Sequence, residues 1–88
     1  MAMYGMDISE VRTLATNLQN ASSDITQMIS RLNGELARTT WVGPDRQRFE
    51  SDWQSRHVTA LQQVAQALTD AGTLATNNAQ QQEDASNA

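Results

Sequence analysis

One short stretch decides the fold of this 88-residue chain: Thr39-Thr40-Trp41-Val42-Gly43-Pro44, near the middle of the sequence. Its two β-branched threonines disfavour a helix, its glycine frees the backbone, and its proline fits the first position of a new helix. Opposite charges four residues apart follow at once, and such pairs support a helix. They are Arg46 with Glu50, Arg48 with Asp52, and Asp52 with Arg56. We therefore expect a turn over residues 39–44 and a second helix directly behind it.

Before the turn, apolar residues recur with the period of a helix. One series repeats every seven residues and a second is offset from it by three: Val11, Leu18, Ile25 and Leu32, then Leu14, Ala21 and Met28. Ala15, Ile29 and Leu36 widen the stripe to about three positions in seven, the pattern of a bundle helix with more than one neighbour. Asp7 is a suitable N-cap. The sequence thus predicts helix 1 over about residues 8–38.

After the turn, a second apolar stripe runs to about residue 77. Its members are spaced by threes and fours: Phe49, Trp53, His57, Ala60, Leu61, Val64, Ala67, Leu68, Ala71, Leu74 and Ala75. We expect helix 2 over about residues 45–77, followed by a flexible tail over residues 78–88, which lacks an apolar face. Because the turn between the helices is short, they should lie antiparallel. The prediction is an all-α helical hairpin, with residues 1–88 as a single domain.

The apolar stripe of helix 1 is wider than one neighbouring helix covers, so apolar surface is left for a partner. We expect two hairpins to form a four-helix bundle on dimerisation. The predicted bundle interface consists of Val11, Leu14, Leu18, Ile25, Met28, Ile29, Leu32, Phe49, Trp53, His57, Leu61, Val64 and Leu68.

The composition argues against several other classes of protein. The formal net charge of -4 disfavours nucleic acid as a partner. With no cysteine and one histidine, His57, the chain is not expected to bind a metal, and no residues suggest a cofactor site or a catalytic group. No stretch approaches the ~18 apolar residues needed to span a bilayer, so we expect no stable membrane insertion. The sequence therefore favours a protein that acts by binding, not an enzyme.

The tripeptide Trp41-Val42-Gly43 lies in a mid-chain turn between two long helices, with Phe49 and Trp53 on the helix that follows. In this arrangement, nearly the whole chain resembles the WXG-motif family, to which the early secreted antigenic target of mycobacteria belongs. The resemblance implies homodimeric or heterodimeric four-helix bundles and no catalysis. It also implies that the protein is made in the cytoplasm and secreted without a cleaved signal peptide by an ATPase-driven type VII (ESX-like) system of actinobacteria or firmicutes. The implied partners are the chain itself or a second WXG-type hairpin protein, and the secretion ATPase.

One departure from the family pattern bears on export. Exported pairs usually carry Y-x-x-x-D/E after the second helix, whereas the only tyrosine here is Tyr4 and the corresponding region offers Gln82 and Ser86. We therefore expect a partner chain to supply the export signal.

Two alternatives stay open at the level of the sequence. Trp41 either covers the end of the hairpin core or lines a recognition cleft completed by a partner's tail, and both roles are compatible; Gly43 is expected to be required by the turn itself. The alternative function is a structural homo-oligomeric bundle, or a carrier that escorts a larger secreted effector.

Overall fold

The computed structural model describes residues 5–87, and these residues form one helical hairpin without strands. In chain order, its elements are α1 (Ile8–Arg38), α2 (Pro44–Asp52), a π-helical segment (Trp53–Val58) and α3 (Thr59–Asn87). α1 has the bounds expected from the sequence, and the other three elements follow one another without a break. The hairpin is a rod of 65 × 18 × 18 Å. Tyr4 and Ala88 lie outside the described residues.

The hairpin has two arms: the first is α1, and the second consists of α2, the π-helical segment and α3. Local sequence explains where each arm begins. The Asp7 side chain caps α1 by accepting a hydrogen bond from the backbone N–H of Glu10 at 3.0 Å. Gly43 has a φ of 119°, a backbone conformation that residues with a Cβ rarely adopt. Pro44 then occupies the first turn of α2, where its missing N–H costs nothing. The turn is thus made by residue types suited to it.

Contacts far apart along the rod fix the antiparallel direction of the arms. At the open end, Arg12 near the start of α1 forms an ion pair with Glu83 near the end of α3, with 3.0 Å between Nη2 and Oε2. Midway along the rod, the Ser22 hydroxyl donates to the backbone carbonyl of Ala65 at 2.7 Å. The hairpin expected from the short turn is therefore present.

The two arms meet along a seam of mostly small residues. Its buried members repeat every seven residues on each arm: Ala15, Ser22 and Ile29 on α1, and Val58, Ala65, Gly72 and Ala79 on the second arm. A Cβ added at Gly72 would lie 3.1 Å from the carbonyl oxygen of Ala15, so the backbones approach closely there. The residues of the inner contact are therefore not the larger Leu and Ile residues of the predicted apolar stripe. Those residues lie beside the contact. Small side chains at the contact allow a short interaxial distance, and larger ones then lie beside it.

The π-helical segment keeps two residues of the second arm directed at α1. The Trp53 indole Nε1 donates to Asn33 Oδ1 at 2.6 Å, and Val58, five residues later, is buried. In an α-helix, residues five apart point about 140° apart. A π turn, with hydrogen bonds between residues i and i+5, contains more residues than an α-helical turn and therefore reduces this offset. The sequence contains a matching signal, because four members of the predicted stripe are spaced by four three times in succession, more than the 3.6 residues of an α-helical turn. They are Phe49, Trp53, His57 and Leu61.

The expectation that helix 2 ends at about residue 77 and is followed by a flexible tail is wrong, because α3 continues to Asn87. Ala79 is 0% exposed, and Glu83 forms the ion pair with Arg12. The segment has few apolar residues of its own and is held by the start of α1. This contact depends on the fold and is not contained in the local pattern of the segment.

Candidate protein-binding surface

The close seam divides the hairpin into two broad faces. On each arm, the residue four positions after each buried seam residue is polar. The residue three positions after each buried seam residue is apolar, up to residue 75. Helical geometry puts these two series on opposite sides of the seam. Antiparallel packing then brings the two polar series together and the two apolar series together. The hairpin is therefore polar on one face and apolar on the other.

Hydrogen bonds across the seam organise the polar face. Gln19 Nε2 donates to the backbone carbonyl of Thr69 at 3.1 Å. The nearly buried Ser22 hydroxyl lies 2.7 Å from the Ala65 carbonyl oxygen and 2.7 Å from Thr69 Oγ1. Within residues 5–87, every buried side-chain nitrogen and oxygen has a hydrogen-bond partner. The buried polar atoms of this face are thus satisfied within the hairpin.

The opposite side, which we name the apolar face, is partly exposed. Its residues are Val11, Leu18, Ile25 and Leu32 of α1, Leu61, Leu68 and Ala75 of α3, and the flanking Leu14, Met28 and Val64. The flanking side chains include Leu14, 53% exposed, and Val64, 49% exposed. Eight of these ten residues are half-buried and two are exposed. Apolar surface of this kind is typical of a region that binds another protein.

Most of the residues predicted to form a bundle interface lie on this apolar face. They are Val11, Leu14, Leu18, Ile25, Met28, Leu32, Leu61, Val64 and Leu68. Ile29 is different, because it is buried in the seam between the arms and is not available to a partner. Phe49 and Trp53 lie at the turn, and His57 is exposed on the π-helical segment.

A second apolar feature, which we name the turn cleft, lies at the closed end of the hairpin. It has a volume of about 240 Å³ and is lined by Leu32, Glu35, Leu36, Thr39, Trp41, Phe49 and Trp53. The rings of Trp41 and Phe49 pack with centroids 5.2 Å apart and planes tilted by 48°. Trp41 is 39% exposed, and the neighbouring Val42 is 90% exposed. Trp41 thus packs against the hairpin and remains accessible, which fits both roles considered for it.

Two polar residues that shape the turn cleft were missed by sequence reasoning. The pattern of charges identified Arg46 only as the partner of Glu50, with which it pairs at 2.7 Å. Its guanidinium also donates to three backbone carbonyls at the end of α1 and in the turn. Asn33 accepts the hydrogen bond from the Trp53 indole. No periodicity signals these contacts, because they join residues that only the turn brings together.

The remaining charged residues form no further site. Arg48 lies 3.9 Å from Asp45 instead of pairing with Asp52 as expected. The His57 ring centroid is 6.2 Å from that of Trp53. Over the described range, no three carboxylate or imidazole side chains gather as metal ligands would. None of the helices described has an apolar stretch sufficient to span a bilayer. The apolar face and the turn cleft are therefore the surfaces on which we base a function.

The chain matches no model of a known protein family, and neither curated proteins nor solved structures give a significant match.

Proposed function

We propose that this chain is a small type VII secretion (ESX-like) substrate or adaptor of the WXG-motif type, which acts by binding other proteins and not by catalysis. The observation that carries the proposal is the partly exposed apolar face, on a hairpin whose turn contains Trp41 and Gly43. In this proposal the protein is made in the cytoplasm and secreted without a cleaved signal peptide.

A second hairpin is the partner that best fits the apolar face. The seam between the arms is made largely of small residues, so large side chains such as Ile25 and Leu68 remain partly exposed beside it. Removing apolar surface from water contributes about 25 cal/mol per Å². Two hairpins packed through their apolar faces would form a four-helix bundle with these side chains in its core. The partner is the chain itself or a second WXG-type hairpin protein.

The distribution of charge favours an antiparallel arrangement of the two hairpins. Residues 31–56, in the half of the rod that contains the turn, carry five arginines and four acidic residues, a net charge of +1. Acidic residues dominate the open end: Asp7, Glu10, Glu83 and Asp84. An antiparallel pair keeps the two acidic open ends apart and places each beside a turn end of slightly positive charge, whereas a parallel pair brings the two acidic ends together.

The turn cleft is the second binding element of the proposal. By resemblance to the WXG-motif family, Trp41 would line a recognition site completed by the tail of a partner, and the secretion ATPase would be a further partner. Residues 77–88 contain no aromatic side chain, and the spacing of Y-x-x-x-D/E falls on Gln82 and Ser86. The second chain would therefore supply the export signal.

Sedimentation velocity of the purified chain tests the association. We expect a concentration-dependent dimer of the chain alone, or a dimer with a second WXG-type hairpin protein if one is encoded beside it. Ile25→Asp should abolish the dimer, because it places a charge within the apolar face. Ser23→Asp is the matched control, since it adds the same charge at an exposed position of α1. A monomer at micromolar concentration that also fails to bind the neighbouring hairpin protein would contradict the proposal.

Export is tested by expressing the chain alone and with its genomic neighbours in a host that has a working type VII system. We expect secretion only when a partner bearing Y-x-x-x-D/E is present. Efficient secretion of the lone chain would rule out the need for a partner. A stable homodimer that is never secreted would favour the alternative of a structural bundle.

A further inference from the structure

We propose that Arg46 positions Trp41, so that the shape of the turn cleft depends on a single guanidinium group. The effect on the hairpin itself follows from the hydrogen bonds described below. Only the consequence for partner recognition rests on the proposed function.

The Arg46 guanidinium is bound to backbone oxygens on both sides of the α1 terminus. Its acceptors are the carbonyls of Leu36 at 2.9 Å, Thr39 at 3.0 Å and Trp41 at 3.0 Å. The donors of a guanidinium form a rigid planar fork, so these bonds fix the three carbonyls relative to one another. The Leu36 carbonyl belongs to the last turn of α1, where carbonyls carry partial negative charge and attract a cation. Arg46 thus joins the end of α1 to the backbone of Trp41.

The backbone of the turn contributes little to holding Trp41. Within residues 36–47, the hydrogen bonds between backbone groups outside the helices join Thr39 to Leu36 at 3.2 Å and Gln47 to Gly43 at 3.3 Å. Neither bond includes Trp41, and in the described part of the chain its carbonyl accepts only from Arg46. Without Arg46, the backbone of Trp41 would have no hydrogen bond to the rest of the hairpin.

Arg46 is itself held in place. Its Nε donates to Glu50 Oε1 at 2.7 Å, and its side chain is only 15% exposed. Phe49, on the same helix, contacts the Trp41 ring. α2 therefore fixes Trp41 at two points, the carbonyl through Arg46 and the ring through Phe49. With the first point removed, the ring contact alone must hold a segment that includes the conformationally free Gly43.

The test compares Arg46→Met with Arg48→Met in the full chain. Methionine keeps much of the apolar length of arginine and removes its hydrogen-bond donors. Arg48 is the matched control, because it lies on the same helix, its side chain is 75% exposed, and its nearest carboxylate oxygen is 3.9 Å away. The readouts are the nuclear Overhauser contacts between the rings of Trp41 and Phe49, and acrylamide quenching of Trp41 fluorescence. The quenching is measured in a Trp53→Phe background, where Trp41 is the only tryptophan.

We expect Arg46→Met to lose the contacts between the two rings and to raise the quenching of Trp41, with the helical circular dichroism of the hairpin retained. Arg48→Met should change neither readout. Arg46→Lys keeps the charge without the planar fork, so it should resemble the methionine variant. Arg46→Lys also serves as the test variant if Arg46→Met fails to fold. Wild-type ring contacts and quenching in the Arg46 variants would overturn the proposal, as would full rescue by lysine.

Secretion and dimer assays on the same variants separate this proposal from the proposed function. If Arg46→Met displaces the Trp41 ring and export is lost, both are supported. If the ring moves and export is unchanged, Arg46 does position Trp41, and the recognition role assigned to Trp41 is wrong.

Discussion

Alanine substitutions at two helical glycines measure two effects separately. One is the helix propensity of the residue, and the other is the packing between the two arms. Gly34 lies inside α1 and Gly72 inside α3. At Gly34, the added Cβ meets only Arg38 Nη1, at 3.2 Å, the end of a flexible side chain. Gly34→Ala should therefore raise the free energy of unfolding by the difference in helix propensity, about 0.8–1.0 kcal/mol.

At Gly72, the same gain in propensity is opposed by the other arm. The added Cβ would lie 2.6 Å from Gln19 Nε2 and 3.1 Å from the Ala15 carbonyl oxygen. Gln19 must move, which breaks its hydrogen bond to the Thr69 carbonyl, a loss of about 0.5–1.5 kcal/mol. The Ala15 oxygen belongs to the backbone of α1, so overpacking costs a further ~1–3 kcal/mol. Gly72→Ala should therefore lower the free energy of unfolding by about 0.5–3.5 kcal/mol.

Urea denaturation followed by circular dichroism measures both free energies. The protein concentration must be the same in all samples, because self-association would stabilise the hairpin by mass action. In thermal unfolding, each kcal/mol corresponds to a shift in Tm of about 4–8 °C for a domain of this size. A Gly72→Ala protein as stable as the Gly34→Ala protein would refute the close approach of the two backbones.

Three further substitutions or deletions test other parts of the hairpin. Removing residues 78–88 should lower the free energy of unfolding by about 1–3 kcal/mol, because it deletes the buried Ala79; an unchanged urea midpoint would show that the end of α3 adds no stability. Gly43→Ala should cost about 1–3 kcal/mol through its φ of 119° alone, since no atom lies within 4 Å of the added Cβ; wild-type stability would mean that the turn adopts another conformation. Trp53→Phe should cost about 0.5–1.5 kcal/mol by removing the donor to Asn33. In an Asn33→Ala background its cost should be clearly smaller, and equal costs would show that the bond contributes nothing.

The amino-acid sequence by itself determined the two-arm plan, because the signals that place helix ends act between neighbouring residues. Asp7 caps the first arm, and Gly43 followed by Pro44 starts the second. Most residues of the apolar face could also be identified from their period, since a helix places such residues on one side whatever it packs against.

Only the tertiary structure decided which side of each helix faces the other arm. A series made mainly of Ala, Ser and Gly is less apolar than the neighbouring series of larger apolar residues. Its advantage, the close approach of two backbones, exists only when both arms are present. The order of residues 78–87 and the role of Arg46 have the same origin. Residues 78–87 contact the start of α1, and Arg46 contacts its end. The fold brings these partners together, so no local sequence pattern predicts the contacts.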